Sequence, residues 1–376
     1  MKKDFDYIIA GSGCAGLSLA VRIAGSKELA GKKVLIVDKQ PKNQNDRTWC
    51  FWEEGEGLFE SIVHKSWQQI EVGNSFLRKQ LDIRPYRYKL IRGIDFYDRC
   101  LKILKTNSNF SFEFGDIESV FQTGITLNGR EISADYVFNS IWEKPELGKS
   151  QYWLLQHFEG IYIKTASSAF NPKKAMLMDF DTPQIDGTTF FYVLPFSETE
   201  ALIEYTLFSP SLLNRKEYQS TLKNYIAKKL DIQDYEVVHS ENGVIPMTNY
   251  KFPISESNII NIGTAGGMTK GSSGYTFQYI QKHSVALVDA LSNGGSLEKA
   301  SIVSKRHQFY DSVLLNILHN KTIPGDQIFM TLFKYNNAGK VFKFLDNETS
   351  LVEELNIISS LPTLPFSRAA IKQLFT

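Results

Sequence analysis

The chain has 376 residues, 43% of them hydrophobic and 13% aromatic, which is enough for two or three structural units with sizeable cores. Its 42 basic and 41 acidic residues nearly cancel, so the sequence carries no electrostatic footprint for nucleic acid. No segment has the ~20 uninterrupted apolar residues of a membrane span. The six histidines and the cysteines Cys14, Cys50 and Cys100 show no metal-ligand spacing, and we expect reduced thiols in a cytoplasmic protein.

The N-terminal segment has the pattern of a dinucleotide-binding strand–turn–helix–strand unit. Residues 5–10 (FDYIIA) predict a buried strand, 11–16 (GSGCAG) a glycine turn, 17–24 a helix, and 33–38 (KVLIVD) a second strand ending in an acid. The spacing matches the dinucleotide fingerprint, whereas an ordinary glycine turn is the alternative.

Each residue of this turn has a predicted task. Gly11 permits the tight turn, Gly13 lets the backbone approach a pyrophosphate, and Gly16 lets the helix pack closely on the strand. The small residues Cys14 and Ala15 belong to the turn, and the N-terminal N–H groups of the helix that follows favour phosphate.

Asp38 ends the second strand, where it is expected to accept hydrogen bonds from the adenosine ribose, and Lys39 beside it belongs to the same predicted site. The motif alone does not separate FAD from NAD, but its position at the start of the chain favours FAD.

A second glycine-rich loop lies far downstream. Residues 258–262 (NIINI) predict a buried strand, 263–274 (GTAGGMTKGSSG) the loop, and 275–291 a helix. In flavoproteins with two such motifs, the second helix points its N-terminus at the isoalloxazine edge, where it favours negative charge. The predicted contacts are Gly263, Ala265, Gly266, Gly274 and Tyr275. The alternative is an ordinary Gly/Ser loop.

The remaining patterns predict an α/β fold: an FAD-binding Rossmann-like domain with an inserted antiparallel β-sheet substrate domain and a C-terminal helical region. We assign 1–45, 93–142 and 250–300 to the discontinuous FAD-binding domain. We assign 46–92 and 143–249, which is rich in short alternating runs, to the substrate domain, and 301–376 to the helical region.

Four strings together resemble the bacterial lycopene β-cyclase family. They are GSGCAG at 11–16, DRTWCFW at 46–52, PFSETEALIEYT at 195–206 and GTAGGMTKGSSGYTF at 263–277, and their order is preserved over nearly the whole chain. One departure is Gly271, where many members of the family have proline.

The resemblance implies an isomerase that converts lycopene by way of γ-carotene to β-carotene without net redox change. It implies FAD, active in its reduced form, and NADPH as the electron source. The catalytic acid of the family falls at Glu204 in the LIEYT string, and Arg47 is a candidate cofactor contact. From the strand pattern alone, Glu204 is equally consistent with an exposed charge, and Arg47 with a local salt bridge.

Two other functions remain open from the sequence. One is an FAD-dependent redox enzyme, a monooxygenase or polyprenyl reductase; such enzymes commonly carry Gly-Asp where this chain has Gly263-Thr264, which argues against that class. The other is a non-catalytic prenyl-lipid carrier.

Because lycopene resides in membranes, we expect peripheral membrane contact and no obligate protein partner. The apolar segment 328–333 is a candidate membrane rim, and a core helix is the alternative.

Overall fold

The computed structural model describes residues 3–375. Its strands, in chain order, are β1 Phe5–Ala10, β2 Val34–Asp38, β3 Thr48–Glu54, β4 Lys65–Trp67, β5 Gln69–Gly73, β6 Arg78–Asp82, β7 Tyr86–Arg92, β8 Phe110–Phe114, β9 Ile117–Phe121, β10 Gly124–Leu127, β11 Arg130–Asn139, β12 Trp153–Lys164, β13 Lys174–Asp179, β14 Thr188–Pro195, β15 Glu200–Ser209, β16 Glu236–Thr248, β17 Ser255–Glu256 and β18 Ile259–Asn261. The helices are α1 Cys14–Gly25, α2 Gly93–Lys105, α3 Arg215–Lys229, α4 Phe277–Ser292, α5 Lys305–His319, α6 Gly325–Tyr335, α7 Ala338–Leu345, α8 Leu351–Ser359 and α9 Thr363–Leu374.

The first sheet, called here the parallel sheet, runs in the order β17-β18-β11-β1-β2-β8. Its central strands β1, β2 and β11 pair in parallel, and β8 and β18 continue the same direction on either side. Helices α1, α2 and α4 cover one face, and the β9–β10 hairpin packs on the other. Because both faces are covered, β1 and β2 are continuous apolar runs. This arrangement confirms the predicted Rossmann-like fold.

The second sheet, called here the large sheet, runs in the order β16-β12-β15-β14-β13-β5-β6. Neighbouring strands are antiparallel except β5 and β13, which pair in parallel. Side chains of β15 alternate between two cores, as the period of a strand requires. Ile203 and Tyr205 pack under α3, whereas Leu202 and Phe208 face the C-terminal helices. Glu204 therefore lies on the face opposite α3.

A small antiparallel sheet, β3-β7-β4, connects the two halves of the molecule. Phe51 and Ile91 point into the core below the parallel sheet, whereas Trp52 and Tyr88 point into the core below the large sheet. Adjacent residues of one strand thus contribute to different cores, because successive side chains point to opposite faces.

Helices α5 to α9 form the predicted C-terminal helical region. The expectation that 328–333 forms a membrane rim was wrong: Ile328, Phe329, Met330, Leu332 and Phe333 are each at most 6% exposed. They pack against the large sheet as part of α6, where Phe329 contacts Phe180 and Phe208. Within residues 3–375, none of the helices combines the length and hydrophobicity needed to cross a bilayer.

A buried carboxylate joins two of these helices. Glu354 of α8 is fully buried and accepts hydrogen bonds from Arg306 and Tyr310 of α5, both at 2.9 Å. His307 Nε2 lies 3.1 Å from the same carboxylate, which also accepts a bond from Thr349. A buried charge is tolerated only with such partners, so this cluster fixes α8 against α5.

We expect Glu354→Gln to lower the free energy of unfolding by about 2–3 kcal/mol, because it leaves the donors of α5 without a charged acceptor. Equilibrium urea unfolding of the flavin-loaded protein measures the effect. The matched control is Glu348→Gln, which breaks a half-exposed ion pair with Lys282 and is expected to cost less than ~0.5 kcal/mol. Equal losses in the two variants would contradict the assignment.

Candidate active site

The first glycine turn joins β1 to α1 and leaves little room for side chains. A Cβ added at Gly16 would lie 2.0 Å from the carbonyl oxygen of Gly11, so the helix packs on the turn only with glycine there. Gly13, Cys14 and Ala15 line a cavity in front of the turn. Among the described residues no side chain caps α1, so its first N–H groups remain available to an anion.

Asp38 at the end of β2 holds this turn in place. Its Oδ2 accepts hydrogen bonds from the Ser12 backbone N–H at 2.7 Å and from Ser12 Oγ at 2.8 Å. Burial raises the pKa of the Asp38 carboxyl, but the bonds from Ser12 and the charge of Lys42 outweigh it and lower the pKa below its usual range. Lys39, in contrast, is largely exposed and faces Asp116 at 3.8 Å, outside the cavity lining.

The second glycine turn touches the first. Gly263 follows β18 with φ +62°, and a Cβ added to it would lie 2.9 Å from the Cβ of Ala15. Gly263 and Thr264 line the same cavity as Gly13, whereas Ala265 and Gly266 lie buried behind them. Two segments about 250 residues apart along the chain thus form one continuous backbone cradle, consistent with the close approach that dinucleotide sites require.

The loop after this turn is held by buried polar contacts that the sequence pattern did not predict. Lys270 Nζ donates to Asp311 Oδ1 of α5 at 2.7 Å and to Asn347 at 2.9 Å, and Ser272 donates to Asp311 at 2.6 Å. A Cβ at Gly271 would lie 2.4 Å from the Thr248 carbonyl oxygen. The loop therefore packs directly on the end of β16 at the position where relatives are expected to carry proline.

Gly274 and Tyr275 end the loop inside the cavity, and α4 begins at Phe277, two residues later than predicted. Trp49 and Arg47 also line the cavity. Phe51 and Trp52 do not: Phe51 stacks on Phe277 at 4.4 Å, and Trp52 packs on Phe342. The aromatic string at 49–52 thus divides between cavity wall and core.

The cavity has a volume of about 410 Å³ and extends from the two glycine turns to the face of the large sheet. Its walls at the sheet end are mainly apolar and aromatic, with a few converging polar groups. They include Tyr88, Gln156, Phe158, Tyr192, Leu194, Leu202, Glu204 and Glu241. Such a lining is typical of a site for a largely hydrophobic molecule.

Glu204 projects from β15 into this cavity, and its Oε1 accepts a hydrogen bond from Thr206 Oγ1 at 2.5 Å. Burial raises the pKa of the Glu204 carboxyl to about 8, and the negative charge of Glu241 adds to the rise, whereas the bond from Thr206 opposes it. Below that pH the carboxyl carries a proton that it can donate. The residue keeps some exposed area because it faces the cavity.

Three tyrosines line the same cavity as this carboxyl. Tyr192 is its direct neighbour on β14, and the Tyr275 hydroxyl interacts with both Tyr88 and Tyr192. Burial raises the pKa of all three phenols, so they stay neutral donors and present aromatic rings to the cavity. Tyr88, Tyr192, Gln156 and Glu241 were missed in the sequence. Only the alternation of their strands could have indicated their orientation, and it does not show which strands share a face.

The chain has the fold of flavin-dependent oxidoreductases, with its two glycine turns brought into contact. A flavoprotein/dehydrogenase from Cytophaga hutchinsonii superposes with a TM-score of 0.60 at 13% identity over 99% of each chain, a likeness that concerns the fold alone. The family model described as "Lycopene cyclase protein" matches residues 6–371. The chain belongs to this family.

Two relatives illustrate the range of similarity. Lycopene beta-cyclase of Paracoccus sp. (strain N81106 / MBIC 01143) is 22% identical over 385 residues, which cover 97% of this chain and 96% of that protein. Capsanthin/capsorubin synthase of Capsicum annuum is 26% identical over 309 residues, 73% of this chain. The chain spans only 58–61% of the length of the plant relatives that it matches.

We expect Gly263→Ala to weaken FAD binding about tenfold, or ~1.4 kcal/mol, because the new methyl group pushes the two turns apart. A flavin absorbance titration measures the dissociation constant. Gly294→Ala is the matched control: Gly294 has φ +64°, close to that of Gly263, but nothing lies within 4 Å of its added Cβ. Equal weakening in both variants would assign the effect to backbone strain rather than to contact between the turns.

Proposed function

We propose that the protein is a lycopene β-cyclase that converts lycopene by way of γ-carotene to β-carotene without net redox change. The observation that carries the proposal is the placement of Glu204: a carboxyl group with a raised pKa faces a cavity that begins at the two glycine turns and has aromatic and aliphatic side chains at its sheet end. Membership in the lycopene cyclase family and the relative from Paracoccus support the substrate class.

Glu204 would act as the acid of the first step. Its proton is transferred to the terminal alkene of lycopene, which leaves a tertiary carbocation and the Glu204 carboxylate. The C5–C6 double bond then attacks the cation, which closes the six-membered ring and leaves the positive charge on C5. Transfer of the C6 proton to the Glu204 carboxylate gives the β-ring and restores the acid. An alkene is a weak base, so the acid needs both a fixed position and an environment without water.

The surrounding side chains favour a cationic intermediate. The rings of Tyr88, Tyr192 and Tyr275 line the same cavity as the carboxyl, and an aromatic face attracts a cation by about 0.5–2 kcal/mol. Leu194 and Leu202 contribute apolar wall on neighbouring strands. These groups exclude water, which would otherwise trap the cation.

The residues at the glycine turns fit FAD. The uncapped N-terminus of α1 would hold the pyrophosphate, and Asp38, which accepts hydrogen bonds from Ser12, would also accept bonds from the adenosine ribose. When bound in its reduced form, FAD would supply negative charge beside the cavity; we propose NADPH as the source of its electrons. Gly263, Gly274 and Tyr275 would contact the flavin end.

A redox flavoenzyme and a prenyl-lipid carrier are the competing functions. Thr264 occupies the position where the redox class commonly carries an acid, and it lines the cavity next to Gly263. Product mass separates the possibilities: cyclisation leaves the mass of lycopene unchanged, whereas redox chemistry adds oxygen or hydrogen. A carrier would bind the pigment without turnover.

We expect Glu204→Gln to reduce β-ring formation by at least about 100-fold, because an amide cannot donate the initiating proton. Pigment analysis of lycopene-producing cells measures the product, and purified protein shows whether FAD binding is retained. Glu200→Gln is the control, because Glu200 lies on the same strand but pairs with Lys164 outside the cavity. A normal rate in Glu204→Gln would remove this residue from the mechanism.

We also propose that the protein reaches its substrate by docking on an anionic bilayer through α8 and α9. Val352 and Leu355 of α8 are 69% and 65% exposed. On α9 a stripe at i, i+4 and i+7 combines exposed Leu364 and Ile371 with Arg368. On α9 the apolar side chains lie next to a cation, a composition that anionic lipid surfaces attract, whereas α8 contributes exposed apolar area only.

We expect the double variant Val352→Ser/Leu355→Ser to bind vesicles of phosphatidylcholine and phosphatidylglycerol about tenfold more weakly than the wild type. Vesicle flotation of the flavin-loaded protein measures binding. The control is Val237→Ser/Val238→Ser on β16, where the two valines are 51% and 50% exposed. Unchanged binding of the first variant, or no binding of the wild type, would exclude α8 as the docking surface.

A further inference from the structure

Four neighbouring strands of the large sheet place a row of residues on its cavity face. Tyr192 of β14 pairs with Glu204 of β15, Glu204 with Gly160 of β12, and Gly160 with Glu241 of β16. Directly paired residues point to the same side of a sheet. The two glutamates therefore lie on one face, separated only by a residue without a side chain.

Gly160 is what allows the two carboxyl groups to interact. A Cβ at this position would lie 3.5 Å from the Cβ of Glu204 and 3.4 Å from the Cγ of Glu241, so it would stand between them. Across two strand spacings, the α-carbons of the glutamates are ~9.5 Å apart, and each side chain can lean over the bare backbone towards the other. Both residues line the same cavity.

The environments of the two carboxyl groups differ. Glu241 is 6% exposed, and burial raises the pKa of its carboxyl. Opposing this rise, its Oε2 accepts a hydrogen bond from Thr48 Oγ1 at 2.6 Å and the charge of Arg47 favours its ionised form. Its Oε1 is buried and has no hydrogen-bond partner among the described residues. Glu204 has a bond from Thr206 and no comparable cation acting on it. Glu241 is thus the easier of the two to ionise.

We propose that Glu204 and Glu241 share a single proton, and that Glu241 is a positioning residue whose negative charge keeps this proton on Glu204. Two carboxyl groups close together in a partly desolvated cavity do not both ionise near neutral pH, since each charge disfavours the other. The use of that proton in cyclisation rests on the proposed function, but the shared protonation does not.

The other groups that face the pair come from each element packed around it. They are Arg47, Thr48 and Cys50 on the β3 side, Tyr88 of β7, Gln156 of β12, Tyr192 of β14, His239 of β16 and Tyr275 of the glycine loop. Burial raises the pKa of the Cys50 thiol and of the three phenols, so these groups stay neutral near pH 8. The titration of the pair is therefore measurable without interference from them.

Infrared difference titration of the flavin-loaded protein, with and without ¹³C-labelled glutamate, tests the proposal. The protonated carboxyl band that disappears in Glu204→Gln reports Glu204, and in the wild type it should titrate near pH 8. In Glu241→Gln the midpoint of this band should fall by about one pH unit, because the repelling charge is gone. Glu159→Gln is the control: it removes a buried carboxyl from the residue next to Gly160, on the opposite face.

An unchanged or higher midpoint in Glu241→Gln would overturn the proposal. If that variant does not fold, Glu204→Gln serves instead. In it Glu241 should titrate below the wild-type Glu204 midpoint and at the same pH as in the wild type, because residue 204 is neutral in both cases while Glu241 loses its proton. A Glu241 midpoint at or above the wild-type Glu204 midpoint would overturn the proposal. The band requires no turnover, so its outcome is independent of the proposed reaction.

In an active preparation, the alkaline pH at which cyclase activity is lost should be lower in Glu241→Gln than in the wild type. In Glu159→Gln this pH should be unchanged. A purely structural role of Glu241 would instead lower activity equally at every pH. A lower Glu204 midpoint in Glu241→Gln, together with no cyclase activity in the wild type, would contradict the proposed function but not the shared protonation.

Discussion

The contact between the first turn of α1 and the turn after β18 is the constraint on which the rest of the molecule depends. Gly263 approaches Ala15 so closely that the two turns form one surface. This contact fixes β18 beside β11 at the edge of the parallel core, and it fixes α4 against α1, where Gln281 bonds to Ser18 and Arg22. The wall of the cavity nearest the cradle is set by backbone rather than by adjustable side chains.

The large sheet supplies the opposite wall, and the small sheet holds the two walls at a defined separation. Because β3 and β7 send alternate residues into two cores, neither half can shift without disturbing the packing of the other. A carboxyl group in such a closed space keeps its proton to unusually high pH, since desolvation penalises its charged form. Rigidity and altered acidity at Glu204 thus have a common origin in the packing.

Most of the fold could be predicted from the sequence, because continuous apolar runs and glycine turns act locally. The strand–turn–helix unit at 5–38 and the helical C-terminal region are examples. The Glu204–Glu241 pair could not be predicted, because nothing in the sequence shows that β16 pairs with β12 rather than with β15. The choice between a membrane rim and a core helix at 328–333 could not be made for a related reason. The apolar sequence pattern of a helix is the same whether a sheet or a lipid covers it.

The order of the parallel sheet also bears on how the protein is made. β1 and α1 leave the ribosome well before β18 and α4, which complete their sheet and their helical layer and are encoded some 250 residues later. Contacts so remote along the chain form late, because a long loop must close before they contribute. The cradle of two glycine turns is therefore finished only after those residues have been made, and the segment that carries β1 and α1 must persist without its partner turn until then.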